Sequence, residues 1–140
     1  MASEIAKSAW KVIPMFHSTS VSLTVRFYTE ILGFELGGVK PEDGTSELFF
    51  CSVFIGKKAE ANFYFLKVSA EEFKPSEAMI ALGTRELDEY YQYLKGHKEV
   101  QIVQDIEDME WGFRQFTIKD SDGNRLTFFK FLEGGNPGEE

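Results

Sequence analysis

The chain has 140 residues, enough for one domain with a sizeable core, with hydrophobic residues at 43% and charged residues at 27%. Its 23 acidic and 15 basic side chains leave a formal charge of −8, which excludes a nucleic-acid binder working through a basic face and attachment to an anionic membrane surface. The one cysteine, Cys51, excludes an internal disulfide, and no run is long or apolar enough to span a membrane, so a reducing, cytoplasmic setting is expected.

Residues 1–10 read as a flexible lead-in without the apolar core of a signal peptide. Residues 11–18, with Val12, Ile13, Met15 and Phe16, read as a strand. Thr19 and Ser20 are candidate helix N-caps. Across 21–32, Leu23, Phe27 and Ile31 recur at four-residue steps, and Val21, Val25, Tyr28 and Leu32 widen the stripe. That is a helix buried on one face, and Gly33 ends it. Phe34, Glu35 and Leu36 resume as a strand. Residues 40–46 carry turn chemistry, 47–55 read as a strand, 56–60 as a polar turn and 61–68 as another strand. Cys51 lies in the apolar run 48–55 and reads as a small buried hydrophobe rather than a nucleophile.

A connector at 69–75 follows, and then the order recurs. A strand at 78–84 precedes a helix at 87–94 with Leu87, Tyr90, Tyr91 and Leu94 on one face. Gly96 stops it. A short strand at 100–103, an acidic loop at 105–110, a strand at 113–118, a hairpin turn at 120–124 and a last strand at 126–132 complete the series. Residues 133–140 read as a flexible tail. A forward shift of about 63 positions carries Phe27-Tyr28 onto Tyr90-Tyr91, Gly33 onto Gly96, Ile55 onto Ile118 and residues 62–68 onto 125–131. One βαβββ unit used twice explains this with a single assumption. The expected fold class is α+β: a single domain over 11–132, built from modules at about 11–68 and 76–132.

Three segments carry a family resemblance. The first is Ile13-Pro14-Met15-Phe16 followed by Phe27-Tyr28-Thr29-Glu30-Ile31-Leu32-Gly33-Phe34-Glu35. The second is Trp111-Gly112-Phe113-Arg114-Gln115-Phe116. The third is Asp120-Ser121-Asp122-Gly123-Asn124. In this order and on these elements they resemble the glyoxalase/bleomycin-resistance/dioxygenase superfamily, and the bleomycin-resistance-like proteins most closely in motif. The resemblance runs from about residue 11 to 132. It implies that the two modules form curved mixed sheets, and that two modules or two subunits complete a cleft. Ser20 departs from the family's usual Asp, but Ser also caps helices. Asp120 and Asp122 lack the spacing and later Glu of a calcium loop, so they read as turn caps.

Metal-dependent members of the superfamily hold a divalent ion with His, Glu or Gln from four strands. The matching places here are Ile13, then Met79 or Ser76, then Tyr64 and Thr127, none of which is a ligand for such an ion. Glu77 stands near the second place alone, and the chain has 2 His, His17 and His97. No metal and no cofactor is therefore expected. Strand alternation puts Ile13, Met15 and His17 on one face. The resemblance turns that face to the cleft together with Tyr64, Leu66, Thr127 and Phe129, and it gives Trp111 a stacking role. His17 is the candidate general base; its bland alternative is a strand-end histidine that satisfies local backbone. His97, after the helix stop, is expected to be exposed. Arg114 and Gln115 take the motif's basic and acidic places, so the acid is here a neutral amide. Gly38 and Ala81 or Gly83 stand where other stacking rings would be, which argues against bleomycin itself as the ligand.

The expected function is sequestration of a bulky aromatic or cationic compound in a homodimer cleft, as in antibiotic resistance of the bleomycin type. Two alternatives stand beside it. One is a metal-free isomerase, lyase or cyclase acting on a secondary metabolite through His17. The other is a metal-dependent enzyme whose ligands lie in a different register. Neither nucleic acid nor a membrane is expected as a partner.

Overall fold

Ser20 opens the first long helix. Its hydroxyl accepts the Leu23 N–H at 3.4 Å while its own backbone stays extended, so it caps as expected. Thr19 does not cap this helix; it bonds to Asp122 instead. The computed structural model of the chain describes residues 1–43, 46–83 and 86–137. A short exposed helix, α1 (Ala2–Ala6), lies in the segment read as a lead-in and buries no side chain. The first module then runs β1 (Met15–Ser18), α2 (Val21–Arg26), β2 (Glu35–Lys40), β3 (Phe50–Ile55) and β4 (Ala61–Lys67). Over Phe27–Ile31 the helix α2 continues as a π-helical turn, and Gly33 leaves it at a φ of +84°. The second module runs β5 (Glu77–Ala81), α3 (Leu87–Lys95), β6 (Gln101–Asp108), β7 (Phe113–Lys119) and β8 (Arg125–Phe131).

Both sheets have the same strand order, β1-β4-β3-β2 and β5-β8-β7-β6. In each, the first and last strands pair in parallel and the other pairs are antiparallel. The βαβββ repeat and the α+β class expected from the sequence are what the structure has. One landmark of the repeat shifts. The core pair Ile118 and Leu126 is matched by Val53 and Phe63, so Val53, not Ile55, stands where Ile118 stands. The acidic segment 105–110 is also not a loop, because β6 continues through Asp108. Two register irregularities flank Gln104 in its pairing with β7. They let Ile102 and Ile106 pack on the core while Gln104 turns to the other face.

The helices of both modules press on the same side of their sheets and share one core. Phe16, Tyr28, Phe65, Phe116 and Phe128 are buried in it. Tyr28 meets Phe65 at 4.8 Å between ring centroids, and Tyr90 meets Phe128 edge-on at 5.2 Å. Polar contacts also cross between modules. The Tyr28 hydroxyl donates to Asp120 Oδ2 at 2.7 Å, and Asp120 Oδ1 accepts the N–H groups of Asp122, Gly123 and Asn124 at 2.9 Å each. This is the turn-capping role expected of Asp120. The Thr19 N–H and hydroxyl both donate to Asp122 Oδ1, and Asn124 Nδ2 donates to the His17 carbonyl at 3.1 Å. Tyr90 donates to the Leu32 carbonyl at 2.7 Å, and Arg26 forms a two-pronged pair with Glu99.

Asn136 clasps both backbone groups of Phe131 at 2.9 Å, so the segment after Leu132 is pinned at that point. Among the described residues no helix is long and apolar enough to cross a membrane. Cys51 has no exposed surface, and burial pushes its thiol up to about 12. An aromatic disulfide reagent at pH 8 is expected to find no thiol in native protein and one per chain after denaturation. Rapid native labelling would place Cys51 outside the core.

Candidate functional site

Each sheet has one face covered by helices and one open face. Register decides which side chains share the open face. In the first module Met15, Tyr64, Ser52 and Gly38 form one row across the strands, and His17, Leu66, Phe50 and Lys40 form the next. In the second, Met79, Thr127, Thr117 and Gln104 form one row, and Ala81, Phe129, Gln115 and Glu107 the next. Seven of the eight residues expected to line a cleft thus divide into two sets. Met15, His17, Tyr64 and Leu66 lie on one open face, and Thr127 and Phe129 lie on the other with Trp111 at its margin. Ile13 is half-buried and precedes β1, near the lone bridge from Val12 to Ala61.

The rows also settle which residues oppose one another. Met15 faces Tyr64, and Met79 faces Thr127. Ser76 lies outside β5, and its N–H donates to Asn124 Oδ1 at 2.9 Å. A thioether paired with a phenol, and a thioether paired with a hydroxyl, do not suit a hard or borderline divalent ion. Among the described residues no three His, Cys, Asp or Glu side chains converge as a metal would require.

Each open face holds a groove. The first, of about 520 Å³, is lined by Gly37, Gly38, Lys40, Phe50, Ser52 and Tyr64 among others. A Cβ on Gly37 would stand 2.8 Å from Ser52 Oγ, so a side chain there would push the serine hydroxyl aside. The second groove, of about 500 Å³, is lined by Met79, Gln104, Trp111, Phe113, Gln115 and Thr127 among others. The two grooves share no residue. A further hollow of about 440 Å³ sits at the module junction beside Leu32, Phe34 and Tyr90, and holds none of the expected site residues.

The second groove has an aromatic wall. Phe113 stacks on Phe129 with centroids 4.5 Å apart, and Phe131 meets both rings edge-on. Trp111 sits in the tight turn between β6 and β7, where Gly112 takes a φ of +94°. It is 56% exposed. Arg114 points the other way. Its guanidinium grips Asp88 at 2.6 and 2.9 Å and Asp108 at 2.8 Å, and it holds the Asp88 carboxyl below the usual carboxylate range. Arg114 therefore ties α3 to β6 behind the groove, while its neighbour Gln115 faces into it.

His17 is held by backbone. Its Nδ1 accepts the Lys74 N–H at 3.3 Å, and Phe73 lies 6.4 Å away, ring to ring. A neutral imidazole bonded in this way carries its proton on Nε2, which then donates rather than accepts. His97 turns its Nδ1 to the Glu99 N–H at 3.3 Å. The residues that sequence reasoning missed are Phe113, Thr117 and above all Gln104. Alternation along 113–118 contains the signal for the first two. Gln104 was hidden by reading its surroundings as the end of a strand.

The sequence signature of the Glyoxalase/Bleomycin resistance protein/Dioxygenase superfamily matches residues 18–128. A bleomycin resistance protein of Geobacillus stearothermophilus is 28% identical over 129 residues, covering 86% of this chain and 96% of that relative. One from Staphylococcus aureus matches at the same level. Among solved structures, TioX from Micromonospora sp. ML1 superposes with a TM-score of 0.72 at 16% identity, covering 89% of this chain and all of that one. A glyoxalase-related enzyme from Clostridium phytofermentans reaches 0.67 at 23% identity, covering 88% and 95%. The two structures establish likeness of fold.

Proposed function

The chain belongs to the Glyoxalase/Bleomycin resistance protein/Dioxygenase superfamily, and from that premise we propose that it is a metal-independent small-molecule binder. It sequesters a bulky aromatic or cationic compound between the open faces of two copies. The observation that carries this reading is the separation of the two grooves. One chain turns its aromatic-walled groove and its glycine-floored groove to surfaces with no residue in common, so each is a half-site. A second copy that laid one face over the other would complete two equivalent clefts.

The chemistry of the faces agrees. Trp111, Phe113 and Phe129 offer flat apolar surface, and burying a ring of about 150 Å² is worth roughly 4 kcal/mol. The charge of −8 favours cations near the surface. His17, tethered to Lys74 N–H, supports binding over proton abstraction.

The test is a titration of bleomycin and of two flat cationic dyes, thionine and methylene blue. Tryptophan fluorescence is followed in wild type and in Trp111→Ala, with sedimentation run in parallel. The expected result is saturable quenching with one ligand per chain on a dimer. In Trp111→Ala the affinity is expected to fall by about 10- to 100-fold, as for a stacked Trp at a binding centre. Absence of saturable quenching by all three compounds sinks the reading.

A further inference from the structure

We infer that the second groove selects ligands that carry an N–H or O–H donor, and that Gln115 Oε1 is the atom that reads it. This rests on the binding reading above and names the ligand chemistry for that same site. Gln115 is 7% exposed, and its Oε1 is a buried side-chain atom with no hydrogen-bond partner. Unpaired polar atoms of this kind are rare inside proteins and call for a reason.

The orientation of this amide follows from a relay that starts at a charge. The Glu107 carboxylate only accepts, so Gln104 turns its Nε2 outward to it, at 3.0 Å. Gln104 Oε1 is left facing inward. It takes the Gln115 Nε2 at 3.1 Å and the Thr117 hydroxyl at 3.3 Å. Gln115 has then spent one of its two amide N–H donors, and its oxygen is left with no partner. Thr117, having donated, accepts from Thr127 at 2.7 Å, which leaves lone pairs on Thr127 as well. The buried atom left without a partner is an acceptor, and so are the remaining lone pairs of Thr127. Glu107 fixes that polarity from outside the groove.

The groove floor therefore presents acceptors beneath an aromatic wall. Arg125 and the Trp111 N–H also line the groove, but carboxylates, phosphates and ring ethers find no partner in these oxygens. Aromatic amines, amides and guanidines do. The terminal torsion of a glutamine is soft, so a small turn of the Gln115 amide brings its oxygen to a ligand seated on Thr127 and Phe113. Among the described residues the first module has no such relay. Its corresponding row carries Ser52 and Tyr64, with Gly38 bare.

Thionine and methylene blue provide the test. Both are flat phenothiazinium monocations; thionine carries amino N–H donors, and methylene blue has them all methylated. Wild type is expected to bind thionine about tenfold more tightly, the effect of one hydrogen bond to a buried acceptor. Gln115→Met is expected to erase the preference by weakening thionine alone. Equal affinities in wild type, or a preference that survives in Gln115→Met, overturn the inference while leaving aromatic sequestration standing. Failure of both dyes to bind overturns both. If Gln115→Met loses its melting transition, Gln115→Glu takes its place. It keeps an acceptor, so the thionine preference must persist, and its loss counts against the inference.

Discussion

Asp120→Ala is expected to cost about 3–5 kcal/mol and lower the melting midpoint by roughly 10–15 °C. Surface substitutions away from such features cost about 0.5 kcal/mol or less. The reason is the number of donors that converge on one carboxylate. Oδ1 satisfies three backbone N–H groups of the turn, and Oδ2 satisfies Asn124 Nδ2 and the hydroxyl of Tyr28. Tyr28 has no exposed surface, so alanine at 120 strands its hydroxyl in the core. Burial pushes the Asp120 carboxyl above its usual pKa, with the surrounding donors working against that shift. Tyr28→Phe removes a donor without leaving a hole and is expected to cost about 1–2 kcal/mol. Placed together, the two changes are expected to cost less than their sum, which chemical denaturation of the four proteins measures. A loss below about 1 kcal/mol for Asp120→Ala would show that the turn does not hold the modules together.

Met79→Arg is expected to lower the affinity for methylene blue by about 100-fold while leaving the melting midpoint nearly unchanged. Met79 is 54% exposed on the open face, so a longer charged side chain is solvated in the free protein. Once a flat cation and a second copy cover the row of Met79 and Thr127, the guanidinium loses its water and faces a like charge. The relay of Gln104, Thr117 and Thr127 offers it no carboxylate, and the groove's Glu77 already stands beside the opposite charge of Arg125 across the ladder. Dye titration and thermal melts on the same preparation check both halves. An unchanged affinity would show that ligands do not sit on the second module's open face.

The recurrence of helix, stop and last strand was legible because it is written in apolar spacing. The pairs Phe27-Tyr28 and Tyr90-Tyr91 sit at matching helix positions, and Gly33 and Gly96 follow them. Strand alternation put Met15 and His17 on one face, and the family resemblance joined Tyr64, Leu66, Thr127 and Phe129 to it; the six instead divide between the open faces of two sheets. The sequence did not disclose β6 at its true length. A strand that carries Asp105, Glu107 and Asp108 looks like a loop when each charge is assumed to be solvated. Asp105 is instead bonded by Tyr91 at 2.7 Å, and Asp108 by Arg114. The irregularities around Gln104 break the two-residue period that pattern reading depends on. Whether one chain closes its own cleft was equally hidden. That depends on which surfaces the helices cover, a contact between distant residues such as Tyr28 and Asp120.

The latch between the modules has a direction. In the second module the turn from β7 to β8 opens on Asp120, which reaches across to Tyr28. The turn of equal length from β3 to β4 opens on Gly56, which has no side chain to offer. It is held from its other end, where Glu60 accepts the Lys58 N–H. Tyr91, the counterpart of Tyr28, has found its acceptor at home in Asp105. The halves therefore share a blueprint but are no longer interchangeable. Two copies of the first would leave a buried hydroxyl with no acceptor, and two copies of the second would aim a carboxylate at a tyrosine already engaged. Either module paired with a copy of itself would therefore lose the Tyr28–Asp120 bond that here ties one half to the other.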